Sequence, residues 1–203
     1  LANVDAGKPA AERISGVAVI SAQPGVARQI EWLFENGAAE VLVLPAQSAA
    51  PHRVLIHWAD DQARRATLAV AASLLRHVPA EAIYLGILPG SAGDERQPTA
   101  VRTLLDARTE AQAIHGLEMR TELHFGKAAE ELRRQLNEAP DQMLILGVSS
   151  IQQFREQFGA LFEGSAAHSV MLVYRPTKES EPAGRPDTVR EVAVGGERAA
   201  ARH

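Results

Sequence analysis

The segment that decides the fold of this chain runs from Met143 to Pro176. A short apolar run, Met-Leu-Ile-Leu at 143–146, ends in Gly147-Val148-Ser149-Ser150. After thirteen further residues comes Gly164-Ser165, and a second apolar run, Val-Met-Leu-Val-Tyr, follows at 170–174. A strand that stops at a glycine, followed by Gly-Ser at the start of a helix, is how α/β proteins present backbone N–H groups to a phosphate. The segment therefore predicts an α/β fold with an anion-binding turn.

The rest of the chain alternates apolar runs of strand length with amphipathic stretches of helix length. We predict strands at 14–21, 40–44, 54–58, 82–88, 118–124, 142–146 and 170–174, and helices at 25–36, 61–77, 99–115, 127–137 and within 152–168. Such alternation is typical of βαβ units and a parallel sheet. The expected fold is an open, doubly wound, Rossmann-like parallel α/β sheet with an additional N-terminal βαβ unit.

Composition and an internal similarity suggest three parts. Residues 1–51 form a partial βαβ unit and residues 52–176 the main domain, and 177–203 form a flexible tail rich in Glu, Pro, Gly, Arg and Ala, with one further strand considered at 189–194. The order strand, glycine, helix, apolar strand occurs both at 14–45 and at 120–147. Either any two βαβ units look alike, or 14–45 is the end of an upstream copy. In the second case it must pack on the later domain or on a partner chain.

Bulk composition excludes several classes of function. The chain is 46% apolar and 23% charged, which is typical of globular proteins, and it has no cysteine for disulfides or thiol catalysis. Aromatic residues make up only 4%, and the net charge is −4 without a basic face, so we expect no nucleic-acid partner. No apolar run reaches the eighteen or so residues that span a bilayer. Because the chain begins with Leu1 rather than Met, we expect it to be a piece of something longer or a trimmed chain.

Residues 52–176 resemble a universal stress protein domain. That family carries Gly, two residues, Gly, nine residues and then Gly-Ser or Gly-Thr. Here Gly147 and Ser150 stand at the first two places, and thirteen residues instead of nine precede Gly164-Ser165. The resemblance implies the sheet order 3-2-1-4-5, with a nucleotide across the carboxyl ends of the strands. It also implies a homodimer through the strand Val170 to Tyr174, an apolar edge without charge or proline. The alternative is that the N-terminal unit or the tail covers this edge.

The resemblance implies seven nucleotide-binding positions: Asp60, Ile87, Gly147, Ser149, Ser150, Gly164 and Ser165. Two of them depart from the family pattern. The ribose-binding aspartate falls at Ala59, and Asp60 is one residue late, on the opposite face of an extended segment. Ser150 replaces the second glycine. A lost hydrogen bond to a charged group costs roughly 1.5–3 kcal/mol, and a positive φ at a non-glycine residue costs about 1 kcal/mol. We therefore expect ATP binding to be weak or lost.

Several of these residues also have a purely structural interpretation. Ser149-Ser150 and Ser165 are equally well explained as helix caps. The side chains of Phe154, Phe158, Leu161 and Phe162 recur at helical spacing, which favours a core over a ligand pocket. His57 and His124 lie near strand ends, where they face either the nucleotide crevice or solvent.

We expect a non-catalytic regulatory or signalling domain of the stress response, located in the cytoplasm and acting by dimerisation. No Walker, G-x-G-x-x-G or G-x-S-x-G motif and no histidine pair with metal-ligand spacing occurs in the sequence, so we predict neither an enzyme nor a metal site. The alternative is the cytoplasmic regulatory domain of a membrane transporter in the same chain. A third hypothesis, a nucleotide-dependent enzyme of related fold, lacks a visible nucleophile or acid–base pair.

Overall fold

A computed structural model describes residues 2–3, 16–47, 49–90, 97–139, 141–163 and 168–176. Four of the predicted features therefore lie outside the described residues. These are Gly164, Ser165, the tail at 177–203 and the strand considered at 189–194.

The described residues form eight strands and five helices. The strands are β1 (Ala2–Asn3), β2 (Val17–Ser21), β3 (Glu40–Leu44), β4 (Arg53–Trp58), β5 (Glu81–Leu88), β6 (Arg120–Phe125), β7 (Gln142–Val148) and β8 (Ser169–Tyr174). The helices are α1 (Val26–Glu35), α2 (Asp61–Leu75), α3 (Gln97–His115), α4 (Ala128–Asn137) and α5 (Ile151–Gln153). A π-helical turn, Phe154–Phe158, and a 3-10 turn, Gly159–Phe162, continue α5. We call residues 151–162 the aromatic segment.

All eight strands belong to one sheet in the order β1-β2-β3-β8-β7-β4-β5-β6. Every neighbouring pair is parallel except β3 and β8, which run antiparallel. Counted within the main domain, β6-β5-β4-β7-β8 is the order 3-2-1-4-5. The predicted doubly wound parallel sheet and its strand order are therefore confirmed.

The N-terminal βαβ unit joins this sheet through β3. Four residue pairs connect β3 to β8, from Glu40 opposite Val173 to Val43 opposite Val170. The N-terminal unit thus packs on the later domain, which is one of the two arrangements expected for it. That it is the end of an upstream copy stays a prediction.

Strand β8 is not a sheet edge, which corrects the basis of the predicted homodimer. One side of β8 pairs with β7 and the other with β3, so the backbone groups needed for pairing with a second copy are already used. The sequence could not decide this, because an apolar strand without charge or proline suits an interior position as well as a pairing edge. A dimer of this chain stays a prediction and requires another surface.

The sheet carries an apolar layer on each face. One core cluster unites β5, β7 and β8 with residues of α1, α4 and the aromatic segment, and the other unites the opposite face with α2 and α3. Strand β7 is buried along its whole length, as its uninterrupted apolar run requires in the centre of a parallel sheet. This arrangement fixes the carboxyl ends of β4, β5 and β7 at one edge of the domain.

The aromatic segment belongs to the core, which confirms the structural interpretation of its spacing. Phe154 and Phe158 are fully buried, and Phe162 is 2% exposed. The Phe154 ring lies 6.0 Å from the Phe34 ring and 5.5 Å from the Phe162 ring. The aromatic segment therefore fills one face of the sheet between α1 and α4.

Candidate functional site at the carboxyl ends of the strands

The crevice that a doubly wound sheet offers to ligands lies where the chain order reverses, here between β4 and β7. Trp58 pairs with Gly147 at the end of these two strands. The amide of Ala59 donates a 3.0 Å hydrogen bond to the Gly147 carbonyl oxygen. The residues just beyond this pair, Asp60 and Ser149, are therefore brought side by side although 89 positions separate them in the sequence.

Asp60 caps helix α2. Its Oδ1 accepts hydrogen bonds from the backbone N–H groups of Gln62 (3.0 Å) and Ala63 (3.1 Å). This is the usual geometry of an N-cap aspartate, whose charge also complements the helix dipole. One carboxylate oxygen of Asp60 is thereby used in capping α2.

The second carboxylate oxygen of Asp60 is taken by residues that follow β7. Oδ2 accepts a hydrogen bond from the Ser149 hydroxyl and a 3.1 Å hydrogen bond from Nε2 of Gln153. The carbonyl oxygen of the Gln153 side chain in turn accepts from the backbone N–H of Ser149 at 3.1 Å. We call Asp60, Ser149 and Gln153 the polar lock, because these three residues hydrogen-bond to one another.

The polar lock holds Asp60 in its ionised form. Partial burial alone would raise the pKa of Asp60, but the hydrogen bonds from Ser149, Ala63, Gln153 and Gln62 outweigh it and lower the pKa below its ordinary value. The crevice therefore carries a negative charge at neutral pH at this point.

Ser150 is a helix cap, and its backbone is not strained. Its hydroxyl accepts a 3.0 Å hydrogen bond from the N–H of Gln153, and its φ of −146° is extended. The positive φ expected at this position does not occur, since no non-glycine residue in the described part of the chain has one. Of the two penalties expected for nucleotide binding, only the displaced aspartate remains.

Gly147 lies within β7, and its lack of a side chain serves helix packing. A Cβ added to Gly147 would overlap the Thr67 hydroxyl and would lie 3.1 Å from Ala63 Cβ and from Trp58 Cβ. Thr67 and Ala63 belong to α2, so glycine allows this helix to approach the sheet closely. The match of Gly147 to a phosphate-turn glycine thus has a packing explanation in this chain.

A cavity of about 420 Å³ lies beside the polar lock, at the ends of β4 and β5. Its size is within the range of small-molecule sites. Three groups of residues form its wall: the strand ends (His57, Trp58, Ala59, Tyr84, Gly86, Ile87, Leu88, Leu123), the first turns of α3 and α4 (Thr99, Ala100, Thr103, Leu104, Ala128), and Gln157 of the aromatic segment. The predicted residue Ile87 and its neighbour in the crevice, Ala59, therefore lie in one cavity wall.

His57 is the buried polar side chain of this cavity. It is 6% exposed, and its Nδ1 lies 2.7 Å from the carbonyl oxygen of Leu85. Because a carbonyl can only accept, Nδ1 carries the hydrogen and Nε2 is left as an acceptor. Burial lowers the pKa of His57 to about 4, against a smaller upward effect of the bond to Leu85, so the ring is neutral at pH 7. No described residue hydrogen-bonds to Nε2.

The other expected site residues are less informative. His124 is half-buried, with its ring 2.9 Å from a carboxylate oxygen of Glu131 and 3.3 Å from one of Glu122, and it is absent from the cavity wall. Gly164 and Ser165 lie outside the described residues, and their role stays a prediction. The described residues contain no cluster of three or more potential metal ligands. Among them, no helix combines the length and the hydrophobicity that a bilayer crossing requires.

Sequence reasoning missed Gln153 and the acceptor role of His57. A signal for Gln153 exists, because Ser150-Ile-Gln-Gln153 has the Ser-x-x-Gln spacing of a capping box. No local signal distinguishes His57 from the other histidines, since its burial and its bond to Leu85 depend on how β4 and β5 pair.

Neither a protein-family model nor a curated protein sequence matches this chain. Solved structures do: a universal stress protein from Archaeoglobus fulgidus DSM 4304 matches 79% of this chain with a TM-score of 0.56 and 11% sequence identity. The chain has the universal stress protein fold. It spans 61% of the length of that structure.

Two further universal stress protein structures match smaller parts of the chain. One, from Archaeoglobus fulgidus in complex with dAMP, covers 48% of this chain and 82% of its own length, with 19% identity and a TM-score of 0.41. The other, UspA from Lactobacillus plantarum, covers 62% of this chain and 99% of its own, with 10% identity and a TM-score of 0.43. With TM-scores below 0.5, these two similarities show neither the fold nor a function of this chain.

Proposed function

We propose that this chain is a non-catalytic regulatory module of the universal stress protein type, with weak or lost ATP binding. The observation that carries the proposal is the polar lock. Asp60, Ser149 and Gln153 occupy the switch point between β4 and β7, and their polar atoms bind one another. A ribose or phosphate that entered here would first have to break these hydrogen bonds.

Charge supports the same conclusion. The ionised Asp60 repels an incoming phosphate, and the described residues of the adjoining cavity wall include no Lys or Arg to compensate. Phosphate sites in proteins rely on cationic side chains or on free backbone N–H groups. Here the N–H of Ser149 is already bonded to Gln153. Weak ATP binding follows from both properties.

The contact between Ser149 and Asp60 does not make Ser149 a nucleophile. An activated serine requires a base that accepts its proton near the working pH. The hydrogen bonds around Asp60 lower its pKa, which makes its carboxylate a poor base. We therefore assign the pair a role in holding β4 and β7 together.

Association between copies in the cytoplasm is part of this proposal, with the cytoplasmic face of a membrane transporter as the alternative location. Because β8 is paired on both sides, the copies must meet through another surface. Val101 and Leu105 on α3 are 45% and 53% exposed and lie one helical turn apart. Sedimentation velocity of the wild type and of Leu105→Lys tests this association. A wild type that is monomeric at every concentration contradicts it.

Isothermal titration with ATP and Mg²⁺ tests the nucleotide part of the proposal. We expect no heat of binding at millimolar ligand for the wild type, and a tight 1:1 isotherm would contradict the proposal. The variant Ala59→Asp restores the family's aspartate, but we expect it to gain less than about tenfold in affinity, or 1.4 kcal/mol, because the polar lock remains. Adding Gln153→Ala to this variant should strengthen binding further, whereas adding Gln152→Ala, at the neighbouring exposed position, should not.

A further inference from the structure

We propose that two copies of this chain associate through strand β6, which pairs antiparallel with β6 of the second copy and continues the sheet across a two-fold axis. The inference deepens the proposed function, on which it rests, because it names the surface through which the copies meet. The axis passes between the two Leu123 residues. Glu122 of each copy then lies opposite His124 of the other.

The first argument is the set of backbone groups that β6 leaves without a strand neighbour. Among the described residues β6 ends the sheet, with β5 on one side only. The N–H of Gly126 donates a 2.8 Å hydrogen bond to the carbonyl oxygen of Leu88 on β5. Because successive residues of a strand alternate in direction, the even-numbered residues of β6 direct their N–H and C=O groups to β5. Those of Thr121, Leu123 and Phe125 point away from the sheet and can pair with a further strand.

The opposite end of the sheet is less suitable for such pairing. There the last strand in the described part of the chain is β1, which has two residues, Ala2–Asn3. Strand β6 has six residues, and very short edge strands are one of the ways in which proteins avoid pairing with a second chain. Of the two ends, β6 is therefore the one that can extend the sheet.

The second argument is that the sequence of β6 complements itself when two copies run antiparallel. With Leu123 opposite Leu123, Thr121 lies opposite Phe125, a side chain that is 44% exposed. Glu122 lies opposite His124 in both directions. Because residues 121, 123 and 125 make the backbone hydrogen bonds, Glu122 and His124 form the non-hydrogen-bonded pairs, whose side chains lie closer together. An imidazole N–H donates to a carboxylate whether or not the ring is protonated, and such cross-strand pairs stabilise a sheet.

The charges on β6 select this register over its neighbours. Moving the axis to residue 122 would set Glu122 against Glu122, and moving it to residue 124 would set His124 against His124. Moving it to Thr121 would place Phe125 opposite residue 117, which lies outside the strand. Charged side chains on an edge strand usually prevent pairing. Here they favour the arrangement centred on Leu123, which matches their charges and uses residues 121–125 of both copies.

The third argument is that the same axis brings two exposed apolar surfaces together. Helix α3 faces α2 through Glu110, whose carboxylate oxygens lie 3.0 Å from Arg64 and 3.4 Å from Arg65. With about 100° of rotation per residue, Val101 and Leu105 lie on the opposite side of α3, towards β6, and they are 45% and 53% exposed. A two-fold axis perpendicular to the sheet sets the two α3 helices side by side on one face, where these side chains meet.

The position of these side chains along the sheet fits the axis. A Cβ on Gly86 would contact the side chains of both Leu104 and Leu123, so Leu104 stands over the residue beside which the axis passes. Leu105 follows directly, and Val101 lies one helical turn before it. Contacts between the two helices therefore form close to the axis and add apolar burial to the strand pairing.

Sedimentation velocity with an exchange of the two charged residues tests the inference. We expect Glu122→His, which sets histidine against His124, and His124→Glu, which sets glutamate against Glu122, each to raise the dimer dissociation constant at least about tenfold. The double variant Glu122→His/His124→Glu restores opposite partners and should recover most of the loss. The matched control is Glu130→His on α4, at a side chain that is 66% exposed, and it should associate as the wild type does.

Disulfide formation between copies reports the register. The chain has no cysteine of its own. A mixture of Glu122→Cys and His124→Cys should form a linked dimer under mild oxidation at least about fivefold faster than either variant alone. The two positions are direct neighbours across the axis, whereas two copies of one position lie about 8 Å apart, beyond the reach of a disulfide.

Two results overturn the pairing through β6 alone: unchanged association of both single exchange variants, and a mixture that crosslinks no faster than its components. A wild type that is monomeric at every concentration overturns the inference together with the association part of the proposed function, and leaves weak ATP binding standing. Hydrogen exchange covers the remaining case, because the amides of Thr121, Leu123 and Phe125 should become protected as the concentration rises. Protection of these amides in a monomer would assign the edge to another segment of the chain and overturn the inference.

Discussion

The two ends of the crevice lie next to each other on the same sheet edge, yet they differ in how their polar atoms are used. At the polar lock, Asp60, Ser149 and Gln153 bind one another across the gap between β4 and β7. In the cavity, His57 keeps one ring nitrogen without a described partner beside about 420 Å³ of space. The comparison teaches that the fold supplies the crevice, while single side chains decide whether protein or ligand fills it.

The difference originates in a shift of one residue. Asp60 stands one position beyond Ala59, where it caps α2 and reaches Ser149, whereas Ala59 leaves the neighbouring wall small and apolar. A shift by one residue in an extended segment moves a side chain to the other face. The same shift therefore lets protein side chains occupy the end of the crevice at Asp60, and it leaves space at the end beside Ala59.

The largest effect is expected from Phe158→Ala, which removes the core ring that contacts His57. Phe158 is fully buried, contacts the His57 ring and lies on the segment that carries Gln153. Loss of a buried aromatic side chain should lower the free energy of unfolding by about 3–5 kcal/mol, measured by urea denaturation. Gln157→Ala, at the exposed neighbouring position, is the control and should cost less than about 0.5 kcal/mol. A Phe158→Ala cost equal to that of the control would show that the aromatic segment is not core.

The next largest effect on stability is expected from Gly147→Ala, which tests whether the glycine serves helix packing or ligand binding. The new Cβ would overlap Thr67, so overpacking should destabilise the protein by about 1–3 kcal/mol in urea denaturation. Thr67→Ala in the same chain should restore part of this loss. Gly159→Ala is the matched control, because it has a helical φ of −50° and open space at its Cβ, and it should be neutral or slightly stabilising. Unchanged stability of Gly147→Ala would contradict the packing explanation.

The smallest effect is expected from Asp60→Ala, which opens the polar lock. Loss of the helix cap should cost about 0.5–2 kcal/mol at pH 7. The folded protein lowers the pKa of Asp60 below 3.8, so the unfolded chain binds more protons between the two values and stability rises with pH there. The contribution of Asp60 should therefore be complete above about pH 4 and decrease as the pH falls through the folded pKa.

Urea denaturation of the wild type and of Asp60→Ala at several pH values between 7 and 3 measures this dependence. The gap between the two proteins should narrow on acidification. A gap that stays constant would show that the Asp60 carboxylate is not held by the polar lock. The exposed Asp61→Ala serves as the matched control for loss of a carboxylate in the same helix turn.

Most of the fold could be predicted from local patterns. The strand at 40–44 was placed without error, and the boundaries of β4, β5 and β7 lie within two residues of the prediction. Gly25, with its positive φ of 86°, marks the start of α1 as expected. Two-residue strand β1 was missed, because so short a run has no period to detect.

The candidate site was predictable only in part. The sequence located Ile87, Asp60 and Ser149 at strand ends. The partners of these residues come from distant segments: Gln153 reaches Asp60 across 93 positions. No local pattern carries such pairings.

The sequence by itself determined the alternation of strands and helices, the parallel doubly wound sheet and the aromatic core segment, because apolar periodicity and helix caps act over a few residues. Only the tertiary structure decided that β8 pairs with β3 rather than with a second copy, and that Gly147 serves the packing of α2. It also decided that Asp60, Ser149 and Gln153 hydrogen-bond to one another, while Nε2 of His57 has no hydrogen-bond partner among the described residues. Those outcomes depend on which atoms meet across the sheet, and that is a property of the packed chain.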